Sequence, residues 1–600
     1  MKYSIHANMK YVYKESFKKY PKIKLYLIVN FIAEILVPLL AIIITTVLVY
    51  ALTNNVNVSQ YILIILLIMA ATYFFEVARI WSLTRYTFEN TFARVSNFNH
   101  RLAEHQMITD YINIEAKDRR NIISKAYGAI MGNFYGVEMM LKQSPLLFIN
   151  LCGVLIYGVL IALYVPIVLA ILVLMAIINY FLTKRANKNL SSKTEMLSDV
   201  SRERYYLTQD STNPNYGKDI RIYNIGKWFN KLATQLTSSR KNITKDVESK
   251  FLFANVINTT FLFIRDFSAY FILLGLVING TIDLTTFTFF VGIVTGFTMW
   301  LNNFADAFNE IRTCNVRIND YRDCIDVENE YFKSGEIMTK DIELPLSIEF
   351  ENVTFSYPNA PEPTIKNLSF KIDSNEKVAL VGNNGAGKTT IIKLLCGLYR
   401  PQSGVIKVNN HDITNFNISD YMSLVAIVFQ DSEPFSFTIE ENIACEEANK
   451  IDKTRLWSAI ESSGLKDKIL SLEKKECTYI TQIFDKSGIR LSGGETQKMM
   501  LARSLYKDAP ILILDEPTAA LDPIAEEELY LKYKELVKNS TSIFISHRLS
   551  STKFCDRIFL LDQGKIIEEG THSDLIILNG EYRSIFDTQA RYYKEGKENE

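Results

Sequence analysis

Six stretches within residues 1–305 are long and apolar enough to cross a bilayer, and they constrain the fold more than any other feature of the chain. They lie at about 23–52, 61–78, 145–164, 167–183, 251–279 and 284–301. Each is near or above the ~18–20 residues that a helix needs to span hydrocarbon. Lipid offers the backbone no hydrogen-bond partners, so each must be a helix. Thr53–Gln60 carries no charge, and Asn279–Asp283 has no Lys or Arg. By contrast 79–143 and 184–250 are long and rich in both, which places them, with both termini, in the cytoplasm. Both excursions have few Pro or Gly. They read as membrane helices running on into the cytosol and turning back near Asp110–Ala116 and Asn213–Ile220, where they could meet a cytosolic motor. The alternative is a soluble insertion with its own core.

Ahead of the first span, residues 1–24 carry seven lysines and one acid, Glu15. Aromatics at helical spacing among those lysines suit a helix lying on lipid headgroups; a solvated basic tail is the alternative. No small-residue cleavage site follows the first apolar run, so no cleavable signal peptide is expected. The chain also begins directly at this basic helix, with no leader-cutting peptidase domain expected before it. The 66 basic and 66 acidic residues balance, which gives no support for a nucleic-acid partner. Seven cysteines form no CxxC pair and read as isolated reduced thiols.

Residues 346–590 have the composition of a soluble α/β chain, joined to the apolar half (1–326) by the polar, acidic stretch 327–345; 591–600 is a polar tail. An apolar run, Val378–Val381, leads into Gly382, Asn383, Asn384, Gly385, Ala386, Gly387, Lys388, Thr389 and Thr390, and a buried helix follows. Strand, glycine loop and helix make a phosphate cradle: backbone N–H groups turn inward and the helix N-terminus adds partial positive charge. Lys388 would reach the β- and γ-phosphates, and the Thr389 hydroxyl would ligate Mg²⁺. A second apolar strand, Ile511–Leu514, ends in Asp515 and Glu516, suited to holding Mg²⁺ and to activating water. Leu491-Ser492-Gly493-Gly494-Glu495 opens another helix at a glycine-rich N-terminus. His547 follows a third apolar strand, and Tyr357 ends a first, alternating one.

In this order and spacing the motifs resemble the ATP-binding-cassette exporters, in the form of a half-transporter: six membrane helices fused to a P-loop ATPase domain. The group includes bacterial multidrug, lipid and peptide exporters. The resemblance implies that Tyr357 stacks on adenine and that 382–389 is the Walker A loop. It implies that Gln430 joins Mg²⁺ and the attacking water to the membrane domain, that Glu516 and His547 serve hydrolysis, and that Asp515 holds Mg²⁺ at the end of the Walker B strand. Ser492, Gly493 and Gly494 would contact the ATP of a second copy, and Asp522 would lie in a loop facing that copy. The implied assembly is a homodimer, or a pair with a related half-transporter, in a bacterial cell membrane.

Three departures stand out. Glu495 replaces a usual glutamine, which should tune the signature loop without abolishing it. Ala519 replaces a common serine, and Phe484 replaces a glycine in the segment before the signature. The expected activity is ATP-driven export of an amphipathic small molecule, lipid or peptide by alternating access. An ATP-gated channel or regulator, and an ATP-driven importer, are the alternatives. Charge within the spans is costly and marks candidate pathways. Glu34, about eleven residues into the first span, and Arg265 are the candidates to line a cargo cavity; an interhelical ion pair that only fixes packing is the alternative. Glu76 and Arg79, three apart, should neutralise each other. Arg265 and Asp266 point about 100° apart on a helix and should not easily share a partner.

Overall fold

The structure is a computed structural model. It describes residues 2–595 except 55–56, 175–191, 194–195, 198, 201–202, 209–210, 214–215, 328, 330–334, 336, 340–341, 359, 517–539 and 547–548. The chain forms two compact units: Met1–His105 with Ile122–Asp326, and Gln106–Asn121 with Val327–Glu600.

The first unit is helical. Ile5–Lys19 begins at Ser4, whose side chain accepts from the Ala7 amide. Among the described residues five helices are long and apolar enough to cross a membrane: Ile23–Thr53, Val58–Ile108, Gly136–Tyr164, Thr259–Ile278 and Leu284–Ile325. Residues 166–174 are helical too, and the rest of the expected 167–183 span lies outside the described residues. The helices overrun the apolar stretches: Gly226–Ile278 is 53 residues long and Leu284–Ile325 is 42. At 1.5 Å per residue the longer one measures about 80 Å, far more than a bilayer. Helices 136–164 and 284–325 interlock through glycines. A Cβ on Gly153 would lie 2.3 Å from Trp300, and one on Gly296 would lie 2.3 Å from Tyr157. Each ring fills the gap opposite a glycine, the small-residue packing that suits membrane helices.

Pro145 lies inside helix 136–164, whereas the sequence places it at a span's start. A proline there has no N–H for the carbonyl four residues earlier, Leu141. The hydroxyls of Tyr86 and Tyr13 donate to that carbonyl instead, the latter at 3.5 Å. The helix continues because neighbouring side chains satisfy the freed group.

The second unit holds two sheets. Strands β1 (Ile348–Phe355), β2 (Ile365–Ile372), β4 (Ser403–Val408) and β5 (His411–Asp412) form an antiparallel sheet in the order β2-β1-β4-β5. Strands β3 (Lys377–Gly382), β6 (Val425–Val428), β7 (Ile511–Asp515), β8 (Thr541–Ile545), β9 (Arg557–Asp562) and β10 (Lys565–Gly570) form the other, ordered β10-β9-β3-β8-β7-β6. It is parallel except for β10. Both faces of this sheet are covered. Val378, Leu380, Ile511, Ile513, Ile543 and Ile545 join one apolar core, while Ala379, Val381, Leu512, Leu514 and Phe544 join the other. Strands buried on two faces read as unbroken apolar runs, which is why β3, β7 and β8 stand out in the sequence.

Candidate nucleotide site

β3, β7 and β8 lie side by side, with Leu380 and Asp515 both paired to Ile545. Their carboxyl ends therefore share one edge, the place where open α/β sheets bind ligands. The chain leaves β3 through Gly382, Gly385 and Gly387, at φ of 147°, 82° and 109°. These angles exclude most side chains. At Gly382 a Cβ would also lie 2.2 Å from the Leu561 carbonyl oxygen. Asn383, Asn384 and Gly385 are exposed, while Ala386, Gly387 and Lys388 are buried where helix 388–395 begins. Lys388 Nζ donates to the carbonyls of Gly382 and Asn383 at 2.7 and 3.1 Å. Burial pushes this ammonium below the usual lysine range, against the pull of Glu516 and Asp515.

Asp515 is buried, at 2% exposure. Burial first, and the neighbouring Glu516 charge second, push its carboxyl up to about 6, with Lys388 and the Thr389 hydroxyl pulling the other way. Glu516 occupies a left-handed conformation, φ 49°, uncommon for a side chain of this size. Its N–H donates to Ile545 O at 3.0 Å, and its Oε2 accepts from Gln430 Nε2 at 3.0 Å. A Mg²⁺ ion fits here. Asp515 is a buried carboxylate short of positive charge, already bonded to the Thr389 hydroxyl. Hydroxyl, carboxylate and the Gln430 amide oxygen are the hard donors such a cation prefers.

Ser492 caps helix 493–507. Its side chain accepts from the Glu495 N–H, and the Glu495 carboxylate accepts from the Ser492 N–H at 2.8 Å. This reciprocal capping box accounts for a carboxylate at 495. Lys468 Nζ lies 2.9 Å from the same carboxylate. Burial raises the Glu495 carboxyl, but Ser492 and Lys468 more than offset it, leaving it below its ordinary value. Gly493 and Gly494 form the first helical turn. Among the described residues no hydrogen bond or ion pair joins 491–495 to 382–389. Phe484 is exposed and stacks on Phe437, ring centroids 5.8 Å apart. Asp485 beside it is held down to about 2 by Lys474 and the Ser487 N–H.

Tyr357 is half-buried, its hydroxyl 3.2 Å from Thr390 Oγ1. Asp522 and His547 lie outside the described residues. In the first unit Glu34 meets Arg79 at 3.4 Å, and Arg79 also grips Glu76 at 2.5 Å. Arg265 bonds the adjacent Asp266 at 3.0 Å. Arg265 Nη2 is buried with no hydrogen-bond partner among the described residues. Sequence reasoning missed Lys468, Lys393 and Glu115; no local pattern marks any of them.

Residues 365–519 match the family described as ABC transporter. The whole chain superposes on a bacterial Atm1-family ABC exporter with ATP bound, at a TM-score of 0.80 and 21% identity, covering 96% of this chain and 99% of that one. Residues 365–519 thus carry an ABC transporter domain, and the chain shares the fold of that exporter. It is 31% identical over 384 residues to the subtilin transport ATP-binding protein SpaT of Bacillus subtilis, covering 62% of this chain and 61% of that protein. ATP-dependent lipid A-core flippases match over a shorter stretch. The one from Methylobacillus flagellatus is 38% identical over 243 residues, 40% of this chain and 41% of the flippase. The one from Escherichia coli K12 is 36% identical over 242 residues, with the same coverage. The aligned stretches thus span less than two thirds of these relatives' lengths.

Proposed function

We propose that this protein is an ATP-hydrolysing membrane exporter that moves an amphipathic small molecule, lipid or peptide out of the cytoplasm. The observation that carries this reading is the pairing of Gln430 with Glu516, beside Asp515 and the Lys388–Thr389 turn, at one sheet edge. The 382–389 amides and Lys388 bind the phosphates. Thr389, Asp515 and Gln430 hold Mg²⁺, which when bound neutralises charge on the transferred phosphoryl group. Glu516 orients and deprotonates water, and Gln430 fixes its carboxylate. His547 stabilises the γ-phosphate, and Tyr357 stacks on the base.

Two copies complete each site, with Ser492, Gly493 and Gly494 of one chain and Asp522 beside the cradle of the other. The absence of any bond between these loops among the described residues supports a site shared between chains. ATP then favours the closed pair, and hydrolysis releases it. We take 1–326 as the membrane domain, 327–345 as linker and 346–590 as the ATPase domain, with both termini cytoplasmic. Relatives named for subtilin transport and for lipid A-core flipping support an amphipathic cargo. Glu34 and the orphaned Arg265 Nη2 are proposed to line its path.

The test is Glu516→Gln in lipid nanodiscs. ATP binding should persist while turnover falls at least about a hundredfold, the usual scale for a positioned base. Near-wild-type ATPase would refute the assignment.

A further inference from the structure

Lys393 lies in the last turn of the helix that begins at the phosphate cradle, five residues after Lys388 and about 7.5 Å along the axis. That places its ammonium away from the phosphates. Three tyrosine rings and a carboxylate surround it. Its Nζ lies 5.6 Å from the centroid of Tyr357, 5.7 Å from Tyr111 and 5.9 Å from Tyr399. It pairs with Glu115 Oε1 at 2.8 Å. The Tyr399 hydroxyl donates to the other Glu115 oxygen. The rings also brace one another edge to face, Tyr357 on Tyr399 at 5.4 Å and Tyr111 on Tyr399 at 5.8 Å.

Glu115 and Tyr111 belong to Gln106–Asn121, which folds with the second unit though it lies between helices of the first in sequence. The segment is held at two further points. Tyr111 and Ile112 pack on the apolar core to which β1 and β3 contribute. Asn329 accepts from the Asp110 N–H at 3.2 Å and the Thr109 hydroxyl at 3.0 Å. Seating does not therefore require the Lys393 pair, which leaves the pair available for another task. Burial lowers the Lys393 ammonium, but Glu115 and the tyrosines raise it more, so it stays charged.

We propose that Lys393 and Glu115 are positioning residues for the base-stacking ring of Tyr357, so that the segment 106–121 is coupled to the base of a bound purine nucleotide rather than to its phosphates. The inference rests on the nucleotide reading of 382–389. A ring already fixed by a cation and two aromatic neighbours loses less freedom when a base stacks on it. By linkage, anything that shifts 106–121 and Glu115 alters base affinity, and base binding in turn favours the seated segment. The cradle is a separate set of contacts and should not respond.

The discriminating ligand is inorganic tripolyphosphate, which offers the phosphates without the base. The full chain in nanodiscs would be titrated with Mg²⁺-ATP and with Mg²⁺-tripolyphosphate, and KM and kcat for ATP measured alongside. Lys393→Met should weaken ATP binding and raise KM about fivefold to tenfold, the scale of losing cation–aromatic contacts. Tripolyphosphate affinity and kcat should hold within about twofold, which also shows that the cradle is folded. Lys393→Arg should restore ATP affinity. Glu115→Gln should shift ATP in the same direction by a smaller factor, and it carries the test if Lys393→Met does not fold. Equal weakening of both ligands, no change in either, or a fall in kcat with KM unchanged would overturn the proposal. Failure of the wild type to bind either ligand would instead refute nucleotide binding itself.

Discussion

At the scale of single residues, Glu495 shows how one departure from a family pattern is accommodated. Its carboxylate closes a capping box with Ser492, and Lys468 neutralises it from another helix. In the proposed pair of chains this carboxylate would face the partner's triphosphate, where an unscreened negative charge is unfavourable. Lys468→Ala should therefore lower ATPase about fivefold, the order expected from losing one screening charge near a phosphate. Adding Glu495→Gln to that chain should restore it. A loss that is the same with either residue at 495 would show that Lys468 acts otherwise. The glycine loop and the Asp515–Glu516 pair were legible in the sequence, because a phosphate cradle and a carboxylate-tipped strand are local patterns, whereas Gln430 was pointed to only by the family resemblance. Lys468 was not, because its partner is set by folding. Nor was Lys393, which meets Glu115 across 278 positions of sequence.

At the scale of elements, unbroken apolar runs revealed the long apolar helices and the two-faced strands but not their ends. Helix 136–164 begins nine residues before Pro145. A proline reads as a boundary only while nothing replaces its lost hydrogen bond, and here Tyr86 and Tyr13 do so from other helices. Tyr86→Phe should leave the Leu141 carbonyl poorly satisfied and cost about 1–3 kcal/mol. Thermal unfolding of the full chain in detergent should show a lowered midpoint, with a smaller drop for Tyr13→Phe, whose contact is longer. An unchanged midpoint in Tyr86→Phe would mean that another group satisfies the carbonyl. The glycine contacts of Gly153 and Gly296 were likewise invisible beforehand, since nothing local says which glycine faces a ring.

At the scale of the whole molecule, Lys388, Asp515, Glu516 and Gln430 gather at one sheet edge, while the 382–389 and 491–495 loops form no bond with each other among the described residues. We propose that a second copy completes each site. Two tagged chains, both carrying Glu516→Gln, would be co-expressed, one with Lys388→Ala and the other with Gly494→Asp. In a mixed pair, one site combines both lesions and the other combines two intact loops. Mixed pairs isolated through both tags should retain about one ATP each, whereas either variant alone should retain none, because every site in it then has a defective loop. Mixed pairs that hold no ATP, or a Gly494→Asp chain that holds it unaided, would contradict a site shared between two copies.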